Sequence, residues 1–386
     1  MLEFFPHPHP DPLIDSMENF AHLANLVVAL GFIIGFVFGA VAHKANFCTM
    51  GAVADVVNVG DWGRMRMWLL AIAVAVAGAN ALDWAGMVDL SRSAYPAARC
   101  PWIAYIVGGF LFGVGMTLAS GCGSRSVVRV GGGNLKSLVV LVFLAISADM
   151  TIRGLFAPAR VEVLSAAAIH FDQGQDLPWV VATQFGVGRH GLQIWITALI
   201  VIPLLFFIFK DRTFRATREQ VFGGFVIGLA IVAGWYVTGH IGFVAEDPDT
   251  LQEAYLGSKT ARPESLTYVG PVANALEWLQ LWTDNSTKLS FGVAVVAGTL
   301  LGSFTYAILT RNFRWESFAS AGDTRNHIIG GILMGFGGVT AMGCTIGQGI
   351  TGLSTLAVGS FLAFFSIIAG AAATMKVQYW HMLKEA

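Results

Sequence analysis

The chain has 386 residues, of which 55% are hydrophobic and 12% charged, and its formal net charge is −1. A chain so poor in charge cannot cover the surface of a soluble domain, so the composition places it among integral membrane proteins. Lys and Arg form no cluster long enough to follow a phosphate backbone, which gives no reason to expect a nucleic-acid partner. The 45 glycines are typical of helices that pack closely within a lipid bilayer.

Apolar runs predict an all-α polytopic membrane protein with about nine transmembrane helices. Taken in chain order, the runs lie at about 23–42, 67–83, 102–119, 135–150, 193–209, 222–238, 291–309, 328–342 and 354–373. The first twenty residues are rich in Pro, His and acids and lack a basic n-region. We therefore expect the first run to be a retained span rather than a cleaved signal peptide.

Basic residues of the short loops all fall on one side of the predicted membrane. They are Arg64, Arg66, Arg125, Arg129, Lys136, and the Lys and Arg residues of 210–218 and 311–325. The positive-inside rule makes this side the cytoplasm of a bacterial inner membrane. The segment 1–22 and the acid-rich loop 239–290 are then outside, and the tail 376–386 is cytoplasmic.

An internal repeat relates two glycine-rich stretches. The pattern of glycines that begins at Gly108 and ends at Cys122 aligns without a gap on the pattern from Gly330 to Cys344, and a weaker similarity relates 31–35 to 224–228. Five spans separate the equivalent helices. Because an odd number of spans inverts the second copy, we expect two inverted, pseudo-symmetric halves, as in many secondary transporters.

The repeat predicts a division of the chain into two transmembrane halves. The predicted segments are an extracytoplasmic segment 1–22, a first half 23–165, a connecting segment 166–221 with one span, a second half 222–375 and the tail 376–386.

Three of the four cysteines lie where an apolar run breaks beside glycine. Cys48, Cys122 and Cys344 each precede a short, weaker run, at about 49–58, 123–130 and 345–353, whereas Cys100 stands beside Pro101 in a predicted outer loop. Non-helical backbone within a membrane is tolerated where protein or a water-filled cavity satisfies its polar groups. The breaks therefore predict re-entrant half-helices around an internal cavity.

A half-helix that starts at each cysteine would direct unpaired N–H groups and a positive dipole end into that cavity, an arrangement suited to anions. A single cysteine most often packs as a small hydrophobe, and we interpret Cys100 in that way. Three thiols at similar breaks favour a binding site instead. The candidate residues are Cys48, Gly121, Cys122, Gly123, Ser124, Gly343, Cys344, Thr345 and Gln348.

Ionisable residues near the breaks allow two interpretations. His43 ends the first span just before Cys48, and Arg125 follows Cys122 closely. Both are candidate substrate-binding residues, but the membrane interface and the positive-inside rule account for them equally well. Asp55, Asp83 and Asp149 lie in or beside apolar runs and are the candidates for proton coupling.

The cysteine stretches 46–51, 109–123 and 331–344 resemble those of the YeeE/YedE family of sulfur transporters. The resemblance implies an hourglass-shaped chain in which Cys48, Cys122 and Cys344 relay thiosulfate, or a similar small sulfur anion, through S–H···S contacts. It also implies a TusA-like (YeeD) sulfur-carrier protein at the cytoplasmic face. We expect no cofactor, no metal and no catalytic residue.

Other functions remain open. A membrane sulfurtransferase or thiol oxidoreductase would use covalent cysteine chemistry, with His43 as a base. Some members of the family are associated with selenium, so a selenium-species transporter is a further alternative. A metal permease is disfavoured, because the chain has no CxxC or HxxxH pattern to supply ligands.

Overall fold

A computed structural model describes residues 12–186, 188–246, 252–284 and 286–385, with side chains from residue 20 to residue 384. The fold is almost entirely helical, as predicted. In chain order the α-helices are α1 (Pro12–Lys44), α2 (Thr49–Ala54), α3 (Gly63–Trp84), α4 (Trp102–Leu118), α5 (Gly123–Gly131), α6 (Leu135–Ile152), α7 (Leu177–Phe185), α8 (Arg189–Phe209), α9 (Arg212–Ala216), α10 (Arg218–Tyr236), α11 (Val269–Gln280), α12 (Phe291–Leu309), α13 (Ala321–Thr340) and α14 (Val358–Glu385).

Shorter elements join these helices. A 3₁₀ turn lies at Leu90–Arg92, and π-helical turns lie at Asp55–Val59, Ala159–Leu164, Val237–Ile241 and Gly347–Gly352. Two small antiparallel sheets pair β1 (Arg99–Cys100) with β2 (Ile169–His170), and β3 (Phe243–Val244) with β4 (Ala254–Tyr255).

Eight helical segments in the described part of the chain are long and apolar enough to cross a membrane. They are Phe20–Val59, Gly63–Trp84, Trp102–Gly131, Leu135–Ile152, Arg189–Phe209, Arg218–Ile241, Phe291–Leu309 and Val358–Lys384. The ninth predicted run, 328–342, falls largely within α13, which has 20 residues but is less apolar. The first turns of α13 contain Asp323, Arg325 and His327, and glycine occupies much of the remainder. Length and hydropathy therefore confirm eight of the nine predicted spans, and the ninth run forms the helix α13.

The helices that carry the glycine repeat, α4 and α13, cross closely and run antiparallel. A Cβ atom built on Gly108 would lie 2.8 Å from the Gly337 carbonyl oxygen, and one built on Gly337 would lie 2.5 Å from the Gly108 carbonyl oxygen. Gly115 and Gly330 meet in the same reciprocal way, at 2.7 Å in both directions. Equivalent residues of the two copies thus face each other in opposite order, which confirms the predicted inversion.

Each copy of the repeat packs its second glycine face on the other half of the chain. A Cβ on Gly113 of α4 would lie 2.2 Å from the Ile367 carbonyl oxygen of α14, and a Cβ on Gly335 of α13 would lie 2.5 Å from the Leu144 carbonyl oxygen of α6. Glycine is needed at such positions because it lets two backbones come into direct van der Waals contact.

The outer helices exchange partners in the same way. A Cβ on Gly35 of α1 would lie 2.2 Å from the Val295 carbonyl oxygen of α12, and one on Gly228 of α10 would lie 2.7 Å from the Ala71 carbonyl oxygen of α3. Through their small residues, helices from the first part of the chain therefore pack against helices from the second part. The exact division at residues 165, 221 and 375 stays a prediction.

Helix α8 lies outside this exchange and presents a broad apolar face. Trp195 and Leu199 are 74% and 72% exposed, as expected for side chains that face lipid. A polar cluster holds its inner side, where Gln193 Nε2 donates to Asp83 Oδ2 at 2.6 Å and Arg189 Nη2 pairs with the same carboxylate at 3.3 Å. Asp83 therefore attaches α8 to α3.

The other two candidates for proton coupling are also ion-paired. Asp55 forms two contacts with Arg64, one of them at 2.6 Å, and Asp149 pairs with Arg153 at 3.1 Å. The structure therefore gives each of these acids a local basic partner.

The predicted segments at the two ends and in the long loop are only partly described. Residues 1–11 of the extracytoplasmic segment 1–22, and residues 247–251 and 285 of the loop 239–290, lie outside the described residues. The predicted tail 376–386 continues α14 as a helix through Glu385. The side of the membrane on which each lies stays a prediction.

Candidate functional site

The same type of backbone turn occurs at each of the three breaks. A residue with a left-handed conformation lies two positions after the end of each of the helices α1, α4 and α13: Asn46 (φ 51°), Ser120 (φ 55°) and Met342 (φ 58°). The N–H of the next residue returns to a carbonyl of the last helical turn, as in Schellman motifs: Phe47 to Ala42 at 3.0 Å, Gly121 to Met116 at 2.9 Å and Gly343 to Gly338 at 2.7 Å. The turn places a cysteine two residues after each left-handed residue.

All three thiols are free and buried. Cys48 Sγ accepts the Gly51 N–H and Cys344 Sγ accepts the Gly347 N–H, both at 3.3 Å. Because each sulfur is the acceptor in these contacts, its S–H proton is left for another partner. Cys122 Sγ lies 3.3 Å from Ser124 Oγ, where either group can donate.

Cys122 is the central thiol. It lies within electrostatic range of both Cys48 and Cys344, and the buried Tyr268 is a neighbour of Cys122 and Cys344. The thiols of the first repeat, the second repeat and the additional break thus gather in one region.

A polar cavity of about 280 Å³ lies on one side of the cysteines, and we name it the arginine cavity. Arg129 Nη1 donates to the Ser120 carbonyl oxygen at 2.9 Å, Arg125 donates to the Asn46 side chain, and His43 Nδ1 lies 2.8 Å from Ser303 Oγ. Three arginines against one glutamate make the lining attractive to anions. The lining residues are His43, Asn46, Arg125, Val128, Arg129, Gly132, Asn134, Asn312, Arg314 and Glu316.

A second cavity, of about 390 Å³, lies on the other side, and we name it the glutamate cavity. Met342 and Gly343, which precede Cys344, line it together with Tyr95, Arg160, Glu264 and Thr267. Helix α6 begins directly after Asn134 of the arginine cavity and ends at Ile152 of the glutamate cavity. The 18 residues of α6 span about 27 Å, so the two cavities lie at opposite ends of a membrane-length helix.

The segment 264–268 of the long loop reaches the cysteines, which the sequence analysis missed. Tyr268 is fully buried with its hydroxyl 2.9 Å from Thr299 Oγ1, and the Leu266 carbonyl oxygen accepts the Thr351 hydroxyl at 2.7 Å. The sequence feature that distinguishes this segment is an uncharged run, 265–271, within an acid-rich loop.

The predicted half-helices differ in form. Cys48 and Cys122 are the N-cap residues of α2 and α5, which match the predicted runs. Cys344 instead precedes a turn and the π-helical segment Gly347–Gly352, so it does not cap a regular half-helix. The prediction that Cys344 begins a half-helix at about 345–353 is therefore wrong.

The remaining predicted residues surround these turns. The Thr345 hydroxyl, like that of Thr49, is buried with no hydrogen-bond partner among the described residues. Gln348 Nε2 donates to the Ala341 carbonyl oxygen at 2.5 Å, so one of its two N–H donors is used at the end of α13. Gly121 leaves room for the Arg125 side chain, since a Cβ there would lie 3.3 Å from Arg125 Cγ, whereas Gly123 lies beside Leu144.

Cys100, which we predicted to pack as a small hydrophobe, and His240 line neither cavity. Cys100 belongs to β1, and His240 is exposed, with Nδ1 3.0 Å from the Met87 carbonyl oxygen. Across the residues described with side chains, no three His, Cys, Asp or Glu groups gather in a way that would hold a metal ion.

The fold and the site together define a polytopic membrane transporter with buried thiols between two cavities. The chain belongs to the Sulphur transport family, whose model matches residues 44–373. Two relatives are similar to most of the chain. The thiosulfate transporter TsuA of Escherichia coli is 29% identical over 84% of this chain and 87% of its own length. The thiosulfate transporter TsuA of Spirochaeta thermophila is 28% identical over 88% of this chain and 96% of its own length.

Proposed function

We propose that this protein imports thiosulfate across the bacterial inner membrane, from the glutamate cavity to the arginine cavity by way of Cys344, Cys122 and Cys48. The observation that carries the proposal is the position of three buried, free thiols between cavities at opposite ends of α6. The names of the two relatives support thiosulfate as the cargo. The basic residues at the arginine side support the cytoplasm as the destination.

The thiols suit passage rather than tight binding. A neutral S–H is a weak donor that contacts a polarisable sulfur, and it adds no fixed positive charge that would hold a dianion. Weak sites in series let an ion enter and leave, as in selectivity filters. In this mechanism Cys48 and Cys344 each donate S–H to the cargo while a backbone N–H holds the sulfur in place.

The arginine cavity completes the path by attracting the anion that leaves Cys48. His43 and the two arginines of α5 line this cavity, and they are the residues that receive the cargo in the proposal. A TusA-like sulfur-carrier protein would then accept it at the same face.

The proposal is tested by measuring uptake of labelled thiosulfate into vesicles that contain the purified protein, with sulfate and selenite as competitors. We expect uptake that excess unlabelled thiosulfate suppresses and equal sulfate does not. Uptake of selenite in place of thiosulfate would support the selenium alternative. No uptake above that of empty vesicles would refute the proposal.

Covalent sulfur transfer is separated from the relay by mass spectrometry of the protein after exposure to thiosulfate. The relay predicts three unmodified thiols, because the cargo passes by hydrogen bonds alone. A persulfide on Cys122 or Cys344 would instead indicate a sulfurtransferase. His43, the predicted base for that chemistry, is engaged with Ser303 and lines the arginine cavity.

Arg125→Gln is expected to lower uptake roughly tenfold at subsaturating thiosulfate, because a hydrogen bond to a charged group contributes about 1.5–3 kcal/mol. The loss should shrink at high ionic strength, where screening already weakens the attraction. Initial uptake rates over a range of thiosulfate and salt concentrations measure both effects.

The matched control is Arg325→Gln, an exposed arginine on α13 outside the lining of the arginine cavity. Equal losses in the two variants would show that Arg125 acts only through the general charge of this face.

A further inference from the structure

Glu264 occupies a fixed place in the glutamate cavity. Its backbone N–H donates to Thr238 Oγ1 at 3.1 Å, and the Thr238 hydroxyl donates to its carbonyl oxygen at 2.5 Å. These two bonds attach the loop before α11 to the π-helical turn that ends α10. The half-buried side chain of Glu264 lines the cavity with Tyr95 and Arg160.

The glutamate cavity leads to Cys344. Gly343 belongs to its lining, and the next turn of the chain is bordered by Thr267 Oγ1 and the Tyr95 hydroxyl, 2.5 Å and 3.6 Å from a Cβ built on Gly347. An anion that reaches Cys344 through this cavity passes the Glu264 carboxyl group. An ionised carboxylate repels it, whereas a protonated one offers an O–H donor.

Among the residues that the structure describes, few charged groups face this carboxyl. Arg160 of the π-helical turn Ala159–Leu164 lines the same cavity, and burial raises the pKa of Tyr95, so that the phenol stays neutral. The nearby Lys259 of the same loop pairs with Glu277 at 3.3 Å, and Arg262 is exposed. The residues of α6, α11 and α13 that line the cavity carry no charge.

Desolvation raises the pKa of Glu264 to about 7, against the opposing effect of a hydrogen bond from Ser258. A raised carboxyl pKa means that the group is protonated below pH 7 and ionised above it. The change of charge therefore falls in the physiological range.

We propose that Glu264 is a proton-binding residue that controls access to the thiol path, so that thiosulfate occupies the glutamate cavity when this carboxyl is protonated and is excluded when it is ionised. The inference rests on the proposed thiosulfate import. It assigns a proton dependence to the uptake step and places it at a residue outside the cysteine turns.

The experiment measures thiosulfate uptake by intact cells against external pH. Thiosulfate is a dianion throughout the range, so its own charge does not change. With a carboxyl pKa of about 7, the protonated fraction falls about tenfold from pH 6 to pH 8, and we expect wild-type uptake to fall to the same degree. Glu264→Gln should give uptake that is independent of pH and close to the wild-type rate in acid.

The matched control is Glu253→Gln, which neutralises an exposed acid in the same loop as Glu264. Glu253 pairs with Arg92, and the variant should keep the wild-type dependence of uptake on pH. Wild-type uptake that does not change with pH, or an unchanged profile in Glu264→Gln, would overturn the inference. If Glu264→Gln does not fold, Glu264→Asp decides, since a retained carboxyl should retain the pH dependence and a flat profile would contradict the inference.

Failure of the proposed function gives a different result. In that case wild-type cells take up no more thiosulfate than cells with Cys122→Ala at any pH. Failure of the Glu264 inference alone leaves wild-type uptake well above that background but without the predicted profile.

Discussion

Cys122→Ala is expected to reduce thiosulfate uptake to near background while the protein still folds. Cys122 is a neighbour of both Cys48 and Cys344, so its loss removes the S–H donor between the other two thiols of the proposed path. A hydrogen bond to a charged group contributes about 1.5–3 kcal/mol, so its loss at this thiol lowers the rate by about tenfold to about a hundredfold. Growth on thiosulfate as sole sulfur source, together with labelled uptake, measures the effect.

The control for this variant is Cys100→Ala, which removes another buried free thiol, one that belongs to β1 and lines neither cavity. We expect it to keep wild-type uptake. Cys122→Ser should retain part of the activity, because a hydroxyl donates a proton but is less polarisable than a thiol. Full uptake in Cys122→Ala would eliminate the thiol relay.

Gly302→Val is expected to prevent normal folding. A Cβ at Gly302 of α12 would lie 2.0 Å from the Phe36 carbonyl oxygen of α1. The obstacle is backbone, so no side-chain rotation relieves it and the two helices must separate. Overpacking costs about 1–3 kcal/mol or more, and separation also removes the neighbouring contact between Gly39 and the Thr299 carbonyl oxygen.

The monodisperse fraction and the thermal transition of the detergent-solubilised protein measure this loss. Gly191→Val is the control, since a Cβ at Gly191 of α8 meets nothing within 4 Å. A Gly302→Val protein as stable as Gly191→Val would mean that the interface between α1 and α12 tolerates a wider spacing than its glycines indicate.

The sequence predicted the features that depend on local pattern. Glycine spacing located the helix crossings, and the repeat of Gly108 and Gly330 gave the inversion, because close backbone contact requires small residues at fixed intervals. The breaks before Cys48 and Cys122 were also predictable, since helices ended and short helices followed them.

Features that depend on distant partners were not predictable. Asp83 looked like a proton carrier until Arg189 and Gln193, more than a hundred residues later, were found to bind it. The sequence does not distinguish Glu264 from the other acids of its loop, because only the fold brings Thr238, Tyr95 and Arg160 close to it. Sequence shows which acids exist, but only the fold shows which groups surround each of them.

The order in which the helices assemble is constrained by the contacts between helices of the two halves. The glycine face of α1 is made first, yet the backbone it contacts, at Val295, is made in the last quarter of the chain. A newly inserted α1 therefore lies in the bilayer without contact to α12 until α12 has been synthesised. Because such distant contacts form slowly, α1 and α12 should pair late in assembly, and a gene split between the halves should yield protein only when both parts are expressed together.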